Sequence, residues 1–218
     1  VWVLSPLGLR LHSAPGASAP GVTLAPQAAQ LAVLGSEALG QDTWLHVSDQ
    51  DAAASGWVLG AKDLVIARPV SVQVNYPDGY QLLYPSEWGV TEPPGQPGIT
   101  TFTSAPQASE QDVLTVQVAD DMHHLQAVPT SPGHQVDEIA PVLVYGFTTR
   151  IAVYQLDSGG YEMAVRFAWS APGASPAPSP APGTMRDFLF LYEQTGPGLK
   201  SADPSLFEQL LGGVMING

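Results

Sequence analysis

The chain contains no cysteine. Composition alone therefore excludes disulfides, thiolate metal sites and cysteine nucleophiles. Basic side chains are scarce. Seven Lys and Arg stand against twenty Asp and Glu, for a formal charge of −13. A phosphate backbone is gripped by cations that displace its counterions, so nucleic acid is a poor partner. An anionic membrane surface is disfavoured for the same reason. No apolar run reaches the roughly 18 residues of a membrane-spanning helix. Little of the chain carries the apolar repeat of an amphipathic helix.

What is present suits a β-rich protein. The 218 residues are 44% hydrophobic, enough to bury a core, and include 22 glycines and 21 prolines. That much Gly and Pro favours many turns and short strands. The charge is uneven. Residues 1–68 carry three basic and five acidic side chains, and residues 69–218 carry four and fifteen. The shift places a domain boundary near Arg68-Pro69. The abrupt, strand-like start at Val1-Trp2-Val3-Leu4 leads us to expect a leader and a tether outside this sequence.

Residues 1–68 read as short strands. Leu7, Leu9 and Leu11 alternate with Gly8, Arg10 and His12, and the run stops at Pro15-Gly16. Gln30 to Gly35, Thr43 to Val47 and Gly56 to Leu59 follow as strands. The segment from Ala17 to Gln30, rich in Ala and Pro, reads as a plain loop. Strands this short suit a small closed barrel. The order of pieces resembles the bacterial SH3 (SH3b) family over about residues 2–66. The resemblance rests on Leu9-Arg10-Leu11-His12, the turn Ser13-Ala14-Pro15-Gly16, the strand Leu31 to Gly35, Trp44-Leu45-His46-Val47 and Gly56-Trp57-Val58. Arg10 and His12 replace the family's usual Asn and Arg, and the long loop carries no aromatic residue. The resemblance implies an SH3-like barrel with a ligand groove.

Residues 70–76 alternate strictly, with Val70, Val72, Val74 and Tyr76 on one side, and predict a half-buried strand. Pro77-Asp78-Gly79 is a turn. Ile99 to Thr103, Asp112 to Val118, Val142 to Tyr145 and Thr148 to Tyr154 read as further strands. The pattern weakens from Ala119 to Ala140. Tyr161 to Trp169 is a long strand with Tyr161, Met163, Val165, Phe167 and Trp169 on one face and Glu162 and Arg166 on the other. Arg186 to Glu193 is its partner. Between them, Ala171 to Gly183 holds five prolines in thirteen residues and reads as an extended excursion, or as a strip for a proline-binding groove. Asp203 suits a helix N-cap, Pro204 the first turn and Gly212 the stop, with Leu206, Phe207, Leu210 and Leu211 as the docking stripe. Tyr80-Gln81-Leu82-Leu83-Tyr84-Pro85-Ser86-Glu87-Trp88 and the terminal helix are similar to the Mog/PsbP-like family. That resemblance implies an antiparallel sheet flanked by helices. Family members include extrinsic photosystem subunits and transport accessory factors, and the scarcity of lysine here argues against electrostatic docking on a photosystem.

Two groups of residues could carry chemistry. Trp44, Trp57 and Tyr84 could line an aromatic groove for glycan or peptide, with core packing as the competing role. Trp88 and Trp169 read as core. Asp120, Asp121, His123 and His124, with His134, Asp137 and Glu138 downstream, offer ligands for a divalent metal. On a short helix Asp120 and His124 share a face. Their spacing fits no defined metal motif, and a solvated acidic turn with incidental histidines is the plainer reading. No nucleophile elbow, phosphate loop or assignable carboxylate pair is present.

The sequence thus predicts a mainly β protein with an SH3b-like barrel at 1–68 and a Mog/PsbP-like α+β domain at 69–218. The expected role is that of an exported, extracytoplasmic, non-catalytic binding or accessory protein. It would bind cell-wall glycan or peptide, or a protein, through the barrel, with no cofactor. The alternatives are a metal-dependent hydrolytic activity at Asp120 to His124 and a structural ectodomain whose groove is occluded.

Overall fold

Short alternating runs, interrupted by Gly and Pro, make strands that must find partners along both edges. The computed structural model describes residues 1–49, 54–61, 64–104, 110–170, 185–197 and 199–216, and it is mainly β. Residues up to 66 form strands β1 (Trp2–Val3), β2 (Leu9–His12), β3 (Gly21–Ala25), β4 (Leu31–Leu39), β5 (Asp42–Asp49), β6 (Ala54–Leu59) and β7 (Val65–Ile66). Five of them make an antiparallel sheet in the order β3-β2-β6-β5-β4, and β1 pairs with β7. Trp2 also bridges Gln30, just ahead of β4. These strands wrap one aliphatic core of Val3, Leu9, Leu11, Ala25, Leu31, Val47, Val58 and Val65. Gly56 lets β6 lie against β2, because a Cβ there would stand 2.8 Å from the His12 carbonyl oxygen. The segment read as a plain loop contains β3, which pairs with β2 from Leu9↔Ala25 onward. Its inner side chains are few, so its sequence carries almost no alternation.

The remainder comprises β8 (Val70–Asn75), β9 (Tyr80–Pro85), β10 (Gly89–Thr91), β11 (Ile99–Thr103), β12 (Gln111–Ala119), β13 (Gly133–Val144), β14 (Phe147–Leu156), β15 (Tyr161–Ser170), β16 (Met185–Thr195), helix α1 (Ser205–Gly212) and β17 (Met215–Ile216). Seven strands form one antiparallel sheet, β10-β11-β12-β16-β15-β14-β13, and three form another, β17-β9-β8. No strand ladder among the described residues joins the segment up to 66 to the segment from 70.

The expected pairing of β15 with β16 is present, with Val165 opposite Phe190 and Phe167 opposite Phe188. Their inner faces, with Tyr161, Met163, Tyr192, Trp88 and Trp169, build the main core. Helix α1 closes it. Phe207, Leu210 and Leu211 are buried, and Phe207 stacks on Tyr192 at 5.2 Å. The helix cap falls at Pro204, one residue later than expected, while the Asp203 carboxylate still accepts from the Ser205 N–H at 3.0 Å. Gly212 is the last helical residue rather than the stop.

Three further expectations change. The flanking helices reduce, among the described residues, to α1 and one 3-10 turn, Met122–His124. The weakly patterned stretch before Ala140 contains most of β13, a twelve-residue strand at the sheet edge. Its exposed face carries Gln135, Asp137 and Glu138, and two bulges break its alternation. Bulges, charge and a proline (Pro141) are the means by which an edge strand resists unwanted pairing. In β8 the valine side is not the buried one. Val72 and Tyr76 are exposed, while Asn75 is buried and donates to Asp78 Oδ2 at 2.7 Å. The proline-rich segment 171–183 lies outside the described residues.

Strand β9 sits between two apolar layers. Tyr80 and Leu82 face the main core. Leu83 points the other way and packs with Leu4 and Ile66, with Trp2, Ala28, Val70 and Leu206 around them. Gln27 adds a polar clasp. Its side-chain amide donates to the Leu4 carbonyl at 2.9 Å and the Gly213 carbonyl at 3.2 Å, and its oxygen accepts from Gln81 at 2.7 Å.

Candidate functional site

Alternation along β5 divides its side chains. Val47 lies in the aliphatic core with Leu45 packed against it, so Trp44 and His46 project from the opposite face. On β6, Val58 faces in and Trp57 faces out, opposite His46 in the ladder. On β2, Leu11 faces in and His12 faces out. Four rings thus gather on the outer face of the five-stranded sheet. His12 meets Trp44 edge-on at 5.7 Å, and His46 stacks on Trp57 at 4.9 Å. The Nδ1 of His12 is 2.7 Å from the Ala19 carbonyl oxygen, which ties the β2–β3 connection to this face.

Beside Trp44 lies a groove of about 330 Å³, walled by His12, Leu59, Leu39 and Asp42, with Gly16 and Ala17 on its rim. All of its lining residues precede residue 65. Trp44 is 5% exposed and forms a wall of the groove, while Leu39 is 49% exposed at its lip. Trp57 is half-buried on the same face but does not line the groove. Tyr84 is elsewhere. It lies on β9 and packs on Phe102 at 5.0 Å. The three aromatic candidates therefore do not form one surface. Trp44 alone borders a cavity, together with His12 and Leu39, which sequence pattern did not single out. Only the fold brings β2 and the β4–β5 hairpin to its side.

The Asp/His candidates occupy the 3-10 turn and its approach. Asp121 caps it, its carboxylate accepting from the His123 N–H at 2.9 Å. Asp120 Oδ1 lies 3.0 Å from His124 Nδ1, as the i, i+4 spacing implied. That hydrogen bond holds the Asp120 carboxyl below its ordinary range. Both side chains are largely in solvent. Among the described residues no three His, Asp or Glu side chains converge. His134 and Asp137 stand apart on β13, and the Glu138 carboxylate accepts from Arg150 at 2.6 Å.

A third cluster escaped sequence reading. Glu162, expected on the outer face of β15, is fully buried there. The strap following the 3-10 turn covers that face with Leu125 and Val128 against Ala164, Leu189 and Leu191. Thr130 on the strap clamps the carboxylate. Its N–H lies 3.0 Å from both Glu162 oxygens, and its hydroxyl donates to one at 2.5 Å. Glu193 is directly opposite Glu162 in the ladder, and its Oε1 is 3.3 Å from the same hydroxyl. Burial, then the Glu162 charge, raises the Glu193 carboxyl above its ordinary range, against the pull of Thr130. When protonated, Glu193 can donate to the Thr130 oxygen, whose own proton serves Glu162.

No protein-family model matches the chain. No curated protein sequence matches it either. Among solved structures it is similar to cyanobacterial PsbP (CyanoP) from Synechocystis sp. PCC 6803. The identity is 14% and the TM-score 0.43, over 70% of this chain and 94% of that one. A likeness at that level says nothing of activity or partner.

Proposed function

We propose that the chain is an exported, non-catalytic binding protein whose SH3b-like barrel takes a cell-wall peptide or glycan segment in the groove beside Trp44. The carrying observation is the placement of that groove. Every wall belongs to the barrel, while the barrel packs on the second domain through a different set of residues, Leu4, Ile66 and Gln27. The groove is therefore presented rather than covered. An aromatic wall with an apolar lip and a few polar groups suits an extended peptide or a sugar face. The second domain, read as PsbP-like, serves as the docking scaffold.

The test is a pull-down of the whole chain with purified peptidoglycan, comparing wild type with Leu39→Asp. Leu39 is exposed at the lip and outside the core, so this change alters the groove and spares the fold. We expect retention of the wild type and loss of the variant. Absence of wild-type retention, or equal retention of both proteins, sinks this reading.

The apolar seam at Leu4, Ile66 and Leu83 favours a second reading, a structural ectodomain in which the barrel serves mainly to brace the sheet. A chain that unfolds in one cooperative step and binds no wall fragment would support it.

A further inference from the structure

The chain holds seven basic residues, and two of them, Arg150 and Arg166, line one cavity of about 480 Å³ on the outer face of the large sheet. The ladder between β14 and β15 explains how they meet. Its last paired residues toward that end are Ala152 and Ala164. Arg150 and Arg166 lie two positions further along each strand, hence on the same face as the two alanines. Like charges on facing strands repel. Arg150 is offset on its far side by Glu138. Among the described residues Arg166 donates to the Gln126 carbonyl and has no carboxylate partner. Each guanidinium retains donors in a planar fork that matches an oxyanion.

The rest of the cavity sets size and shape. The methyl groups of Ala152 and Ala164 make a low apolar floor, Val128 of the strap makes a wall, and Tyr154 closes one end. Glu162 is opposite Tyr154 in the ladder, so negative charge lies at that end and repels any longer anion. Two cations are too few for a nucleic acid, and a chain of −13 repels acidic macromolecules at range. We infer that this cavity binds a compact dicarboxylate, its two charges shared between Arg150 and Arg166 and its short carbon skeleton on Ala152 and Ala164. This site is separate from the groove beside Trp44 and does not depend on the role proposed for it.

The experiment is an NMR titration of the isotopically labelled full chain with succinate at low ionic strength. Succinamide serves as the uncharged isostere and inorganic phosphate as the anion without a carbon skeleton. Saturable shifts confined to residues 149–154 and 164–166 are expected with succinate and not with succinamide. Arg166→Gln should weaken binding by about tenfold or more, the loss of roughly one charge-assisted pair, and Arg150→Gln should weaken it similarly. Both side chains are exposed, and unchanged amide spectra elsewhere will report that the variants stay folded. No saturable shift with succinate, or wild-type affinity in both variants, overturns the site. Tighter binding of phosphate than of succinate overturns the dicarboxylate assignment.

Discussion

The two halves of the molecule use their aromatic residues in opposite ways. The segment from residue 70 puts most of its large rings inside: Tyr80, Trp88, Phe102, Phe188, Phe190, Tyr192 and Phe207 are all buried in one core, while Tyr76, Tyr145 and Phe147 are exposed. The segment up to residue 66 fills its core with aliphatic side chains and turns His12, Trp44, His46 and Trp57 to the opposite face. Rings packed inside bury large areas and stabilise. Rings on the opposite face contribute less to the core. β9 joins the two segments by offering Leu82 to one core and Leu83 to the other.

The hardest blow to the sheet domain should be Phe207→Ala. Removing a fully buried ring stacked on Tyr192 should cost about 3–5 kcal/mol, read by urea denaturation followed through the fluorescence of Trp88 and Trp169. A loss under about 1 kcal/mol would mean that α1 is not integral to the core. Next comes the seam. Leu83→Ala removes a fully buried side chain between the halves, at a cost of about 2–5 kcal/mol. Calorimetry should show one transition in the wild type and two in the variant. Two transitions in the wild type would show that the halves are independent.

The barrel counterpart is smaller. Gly56→Ala puts a Cβ 2.8 Å from a backbone oxygen and 3.0 Å from the Leu11 Cβ. Overpacking of this kind should cost about 1–3 kcal/mol, read as a lower Tm of the single transition. An unchanged Tm would show that β6 does not need to lie this close to β2.

The mildest change concerns the Glu162–Glu193 pair, two carboxylates facing each other across β15 and β16. Glu193 has a raised folded pKa, so the folded chain holds that proton more tightly than the unfolded chain does. The resulting stabilisation is complete below the ordinary value of 4.5 and is lost as pH rises through the folded value. Glu193→Gln stays neutral throughout. Its Tm should exceed that of the wild type at pH 7 and converge with it near pH 4. A Tm gap that did not change with pH would show that the Glu193 charge is not the cause.

Much of the sheet domain was legible because its strands are long and two-sided. Tyr161 to Trp169 and Phe188 to Tyr192 alternate clearly and pair as alternation requires, although the face expected to be outer is partly covered and buries Glu162. β3 and β13 were not legible. One is short with few inward side chains, and the other is an exposed, bulged edge whose polar residues imitate a loop. β8 misled in the other direction. Its valines suggest a buried face, but the strand lies at a sheet edge and buries Asn75, held by Asp78. At the candidate site, Trp44 was visible as an aromatic residue with two competing roles. Its neighbours His12 and Leu39 were not: His12 is distant in sequence, and Leu39 reaches the groove only at the end of the β4–β5 hairpin.

By itself the sequence determined the absence of cysteine chemistry, the β-rich character and the docking helix. These follow from composition and from local period, which every residue carries with it. Only the tertiary structure decided which face of each strand is covered, that Glu162 lies under Thr130, that Trp44 borders a groove, and that Arg150 and Arg166 share a cavity. Each of those depends on which strands become neighbours, and strand pairing joins residues far apart in sequence through contacts that no local pattern encodes.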